Sequence, residues 1–83
     1  MPVKNWIMKI DDNKAKKQLG SVIRKKREEL DYSQEEFAHH CGVHRTYMGA
    51  IERGERNISL MNIIRVSNAL NMKPSKLLEL AKL

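Results

Sequence analysis

Residues 33–57, SQEEFAHHCGVHRTYMGAIERGERN, place two helix signals back to back with one glycine between them. Ser33 and Glu36 form a capping box, in which the hydroxyl serves the backbone N–H three residues on and the carboxylate reaches back. A helix therefore starts after Ser33 and runs to about Cys41, where Gly42 ends it. A second helix begins near Val43 or His44, because Val43, Tyr47 or Met48, and Ile51 recur at three-to-four spacing. Phe37, Cys41, Val43, Met48 and Ile51 are the apolar positions of the pair, and Ala38 is small where the helices would cross closely. This is the layout of a helix-turn-helix, whose second helix enters the DNA major groove N-terminus first.

The second helix carries Gly49 in its middle, where a glycine should cost about 1 kcal/mol against alanine. The same face holds His44, Arg45, Thr46, Ala50 and Arg53. A groove explains that composition. Arg45 and Thr46 are long and short hydrogen-bonders at the leading end. Gly49 and Ala50, one turn on, would leave the face thin enough to lie against base edges or a thymine methyl.

The rest of the chain reads as helices, giving an all-α, compact five-helix domain. An amphipathic helix spans residues 14–30, with Ala15, Leu19, Val22, Ile23 and Leu30 on one side. Ser59 caps a fourth helix through about Leu70, and Pro74 opens a fifth to about Lys82. Residues 1–13, with Trp6, Ile7 and Ile10 and a possible extended stretch over 3–10, form an N-terminal arm. Residues 14–83 form the DNA-binding and dimerisation domain. The chain has 83 residues, and a domain of that size buries only roughly 60–65% of its unfolded surface. Lys and Arg number 16 against 10 Asp and Glu, a net charge of +6 that suits a polyanionic partner. One cysteine, Cys41, excludes an internal disulfide framework. No apolar run approaches the ~18 residues of a membrane span, so a soluble, cytoplasmic protein is expected.

Arg27 falls in the apolar stripe of the first helix, and Glu52 on the inward face of the third. Two opposite charges pointing into one core should form a structural ion pair, since an unpaired buried charge is costly. His39, His40, Cys41 and His44 lack the pairwise spacing of a zinc site, so neither a metal nor another cofactor is expected. The run Arg24-Lys25-Lys26-Arg27 scatters around a helical wheel and reads mostly as a solvated face. With no glycine-rich phosphate loop, paired catalytic carboxylates or partnered nucleophile, the chain does not read as an enzyme.

SQEEFAHHCGVHRTYMGAIERGERNISLMNIIRVSNAL resembles the phage-repressor-like (XRE) helix-turn-helix regulators, and HRTYMGAIERGERNISL is similar to the controller proteins of bacterial restriction–modification systems. The resemblance covers about residues 19–80. It implies a homodimer that binds double-stranded operator DNA and governs its own gene and an endonuclease gene, with RNA polymerase as a further partner. It implies base contacts from Arg45, Thr46 and Arg56, with His44 and Gly49 on the same edge, and phosphate contacts from Ser33, Gln34, Tyr47, Arg53 and Asn57. The glycines usual after the first and fourth helices are Asp31 and Asn71 here, residues that tolerate a left-handed backbone. A phage-type repressor or an antitoxin remains open as an alternative, as does an interaction module that reuses the fold without DNA.

Apolar residues are in surplus. Leu60, Ile63, Val66 and Leu70 serve the core of the fourth helix, leaving Met61 and Ile64 on a second face. Leu77, Leu78 and Leu80, with Met72, add more apolar surface than so small a domain covers. The expected dimer interface is Met61, Ile64, Met72, Leu77 and Leu80. A two-fold pair would set its recognition helices about 34 Å apart, one turn of DNA.

Overall fold

The structure is a computed structural model that describes residues 10–83; the expected arm residues 1–9, including Trp6 and Ile7, lie outside the described residues. Five helices follow one another: α1 (Asp12–Glu29), α2 (Gln34–Cys41), α3 (Arg45–Glu52), α4 (Leu60–Ala69) and α5 (Pro74–Leu80). Helix α1 begins two residues before the expected Lys14, because the Asp11 carboxylate accepts the Lys14 N–H at 3.0 Å and caps it. Asp31 (φ 60°) and Asn71 (φ 58°) adopt the left-handed backbone that closes the connections after α1 and α4. Both halves of the α2 capping box are made: Ser33 N–H donates to Glu36 Oε1 at 2.8 Å, and Glu36 N–H donates to Ser33 Oγ at 3.1 Å. The hydrogen bond from the Ser33 backbone, then that from its hydroxyl, hold the Glu36 carboxyl below its usual range. Gly42 (φ 73°) terminates α2 in the left-handed region, and α3 starts three residues later.

The core lies where these helices converge. Helix α1 packs on α3 and α5, α2 on α3 and α4, and α4 on α5. Ile23, Phe37, Met48, Val66 and Leu77 are fully enclosed. Each of the large ones contributes about 1.5–3 kcal/mol by leaving water. Two expectations for this core fail. Leu30 is 43% exposed, because α1 ends just before it and the chain turns at Asp31. Leu60 is 70% exposed, since it is the first residue of α4 and the stripe that packs inward begins at Ile63.

Gly20 marks a close approach between two helices. A Cβ there would run into the Ile51 carbonyl oxygen and stand 2.7 Å from that of Glu52, so α1 lies directly on the C-terminal turn of α3. Gly54 (φ 74°), just past α3, meets the α1 backbone at Lys17 in the same way. Among the described residues, no helix is long and apolar enough to cross a membrane.

Candidate nucleic-acid interface

Helix α3 is held from behind and open in front. Met48, Ile51 and Glu52 are buried, whereas Arg45 and Thr46 are exposed at its leading end. His44 is the N-cap, and its Nδ1 accepts the Thr46 N–H at 3.1 Å. Arg45 Nη1 lies 3.7 Å from Glu35 Oε2 on α2, with 66% and 74% of the two side chains exposed. An exposed pair of that kind contributes little, so Arg45 is free to leave it for a groove.

The geometry between α2 and α3 is fixed by a buried polar cluster. Arg27 donates from Nε to Glu52 Oε2 at 2.8 Å and from Nη2 to Oε1 at 3.0 Å. Its third nitrogen, Nη1, donates to the Tyr32 carbonyl at 2.7 Å. Gln34 Nε2 donates to Glu52 Oε1 at 3.0 Å. These bonds tie α1, the turn before α2, the first residue of α2 and the last residue of α3 into one unit. The hydrogen bond to Glu52, opposed by burial, raises the Arg27 pKa. Ser33 is exposed beside Gln34 at the N-terminus of α2, where the Glu36 carboxylate completes the cap.

The loop after α3 makes contacts within itself and with Tyr47 of α3. Arg53 pairs with Glu55 through Nε–Oε2 at 3.0 Å and Nη2–Oε1 at 3.1 Å. Those contacts hold the Glu55 carboxyl below its usual range. The Arg56 guanidinium stands 5.3 Å from the centre of the Tyr47 ring. The Tyr47 hydroxyl accepts from Asn62 Nδ2 at 3.0 Å and donates to the Asn57 carbonyl at 3.5 Å. Arg45, Thr46, Arg53, Arg56 and Asn57 are all exposed.

A helix-turn-helix family model matches residues 23–77, more than half of the chain. The Control protein C.BamHI of Bacillus amyloliquefaciens is 53% identical over 47 residues, 57% of this chain and 58% of that one. The Control protein C.MunI of Mycoplasma sp is 39% identical over 66 residues, 78% of this chain and 89% of its own length. The crystal structure of the restriction-modification controller protein C.AhdI from Aeromonas hydrophila superposes with a TM-score of 0.72 at 39% identity, covering 75% of this chain and 94% of that one. The chain belongs to the control proteins of the helix-turn-helix family. These are transcription regulators and not enzymes.

In this control protein, Gly49 is not the bare surface that its composition suggests. It is buried, and an added Cβ would stand 3.1 Å from both Gln34 Oε1 and Arg53 Nη1. The glycine makes room for the Gln34 side chain to cross α3 and reach Glu52. The thin part of the outer face is therefore Ala50, half-buried one residue on. Leu77 also departs from expectation: it is fully enclosed by its own protomer, so it has no surface left for a partner. Met61 is 54% exposed beside Leu60, while Ile64, Met72 and Leu80 are half-buried.

His39 and His40 are exposed, with the His40 ring 4.7 Å from that of Tyr32. Cys41 is buried in the core, where desolvation pushes its thiol up to about 11. Among the described residues, no three His, Cys, Asp or Glu side chains are grouped to hold a metal. Sequence reasoning missed Glu35, Asn62 and Gly20. Each meets a residue distant in sequence, and only Gly20, a glycine inside a long helix, offered a signal.

Proposed function

We propose that this control protein is a sequence-specific transcription regulator that binds two-fold operator DNA as a homodimer in the cytoplasm, governing its own gene and a restriction endonuclease gene. One observation carries the reading: α3 is locked into the core by Met48, Ile51 and Glu52 while its leading end offers Arg45 and Thr46 to solvent. That is the presentation a major groove requires. Arg45 reads a guanine through its two-pronged guanidinium, Thr46 and His44 contribute at neighbouring bases, and Arg56 enters from the loop. Ser33, Gln34, Arg53 and Asn57 hold phosphates, with Tyr47 among them, and so fix the register. Met61, Ile64, Met72 and Leu80, joined by Leu60, form the subunit contact. RNA polymerase is the further partner at the promoter.

Selection of binding sites from a randomised duplex pool tests this. The expected product is a two-fold sequence with half-sites about one helical turn apart. Recovery of no preferred sequence would leave the protein an interaction module and refute the reading. A two-fold site that is absent from the DNA upstream of its own gene would favour a repressor of other promoters.

A further inference from the structure

We propose that Asn62 is a positioning residue that holds Arg56 at the DNA-reading edge by pinning Tyr47. The inference rests on the reading of Arg56 as a DNA contact. Arg56 belongs to the loop between α3 and α4 and is exposed, so nothing but its surroundings restrains a long side chain. Its guanidinium lies within the ~6 Å range of a cation–π contact with Tyr47. The ring is a useful platform only if it is itself fixed. Its hydroxyl, at the far end, is held from two sides by Asn62 Nδ2 at 3.0 Å and the Asn57 carbonyl at 3.5 Å.

Asn62 is fixed in turn. Its backbone N–H donates to Ser59 Oγ at 3.1 Å within the α4 cap, and its Oδ1 accepts from Arg65 Nη1 at 2.8 Å. The relay Arg65–Asn62–Tyr47–Arg56 thus runs from the exposed side of α4 to the loop after the recognition helix. With its hydroxyl held in this way, the tyrosine stands among the phosphate contacts and also serves as the seat of an arginine. An arginine seated before binding loses less side-chain freedom when it meets DNA, which raises affinity without any new contact. Asn62 touches no DNA in this scheme.

The experiment compares Asn62→Ala, Arg56→Ala and the double variant on an operator selected from a randomised duplex pool, with a random duplex of equal length as reference. Asn62→Ala should weaken operator binding roughly 2- to 12-fold, the range of one lost hydrogen bond, and random-duplex binding less. Its melting point should stay within about 4 °C of the parent, since alanine suits the first turn of a helix. In the Arg56→Ala background, Asn62→Ala should add nothing. The ring-current displacement of the Arg56 side-chain proton signals should also disappear in free Asn62→Ala protein.

Multiplicative losses in the double variant would overturn the relay, as would an unchanged ring-current displacement. Arg56→Ala that weakens the operator complex beside an Asn62→Ala that does not would sink this inference alone. Arg56→Ala with unchanged affinity would sink both the inference and the reading of Arg56 beneath it.

Discussion

Gln34, the first residue of α2, donates to the Glu52 oxygen that also receives Arg27, so the two helices of the DNA-binding unit share one buried carboxylate. The Glu52 side chain is only 2% exposed and that of Arg27 10%. Gly49 supplies the gap through which Gln34 reaches it. The register of α2 against α3, and with it the distance between the Ser33–Gln34 end and Arg45, depends on this polar junction as well as on apolar packing.

Arg27→Met and Glu52→Gln should each destabilise the fold by about 3–5 kcal/mol, because each leaves a buried group short of its partner. The double replacement should recover part of that loss. Denaturant melts of all four proteins give the coupling. Strictly additive losses would mean that the pair contributes nothing jointly.

Gly20→Ala should lower stability by about 1–3 kcal/mol, the range for overpacking a close contact. For a domain of this size, that corresponds to a melting point lower by roughly 4–8 °C per kcal/mol. The sign is diagnostic, since alanine normally stabilises a helix interior. Gly49→Ala should behave differently: its new Cβ meets side-chain ends that can move, so folding should hold while operator binding weakens. Circular dichroism melts settle the first point, and a melting point unchanged or raised in Gly20→Ala would show that α1 and α3 are not packed so closely.

Cys41 should resist alkylation in the native protein. Its folded pKa is raised from 9.0 to about 11 by burial, so at pH 8 both access and thiolate are lacking. The sign for stability follows. The unfolded thiol ionises at lower pH than the folded one, so this contribution is intact below about 9 and is lost as pH rises toward about 11. Labelling with iodoacetamide should follow the unfolding rate, and a fast reaction under native conditions would contradict it.

Arg45→Ala should weaken operator binding roughly 5- to 150-fold, matching the ~1–3 kcal/mol of a good arginine–guanine contact, while random DNA is bound almost as before. Titration of both duplexes distinguishes the outcomes. Equal losses on both would make Arg45 a phosphate contact.

Met61→Asp should yield monomers, because it puts a charge into the exposed apolar face of α4 that Leu60 shares. A monomer holds one half-site and loses the gain from tethering the second, which reaches about 10²–10⁴ in affinity. Sedimentation and operator titration check both effects. A Met61→Asp protein that stays dimeric would move the subunit contact elsewhere.

Local signals in the sequence determined the helices. The Ser33–Glu36 box, Gly42, Ser59 and Pro74 each act within one turn of chain, and the helices α2 to α5 begin and end close to where those residues place them. The pairing of Arg27 with Glu52 is legible in the sequence itself, since two inward opposite charges have no cheaper arrangement than each other. Long-range crossings were decided only in three dimensions. Gly49 looks open along its own helix, and only the path of Gln34 from α2 covers it. Leu77 reads as surplus apolar surface until α1 and α4 close over α5. Asn62 has no meaning until α4 brings its amide to the Tyr47 hydroxyl, 15 residues away in sequence. Capping and periodicity are properties of neighbouring residues, whereas burial and side-chain partnership are set by elements that the chain joins only after it has folded.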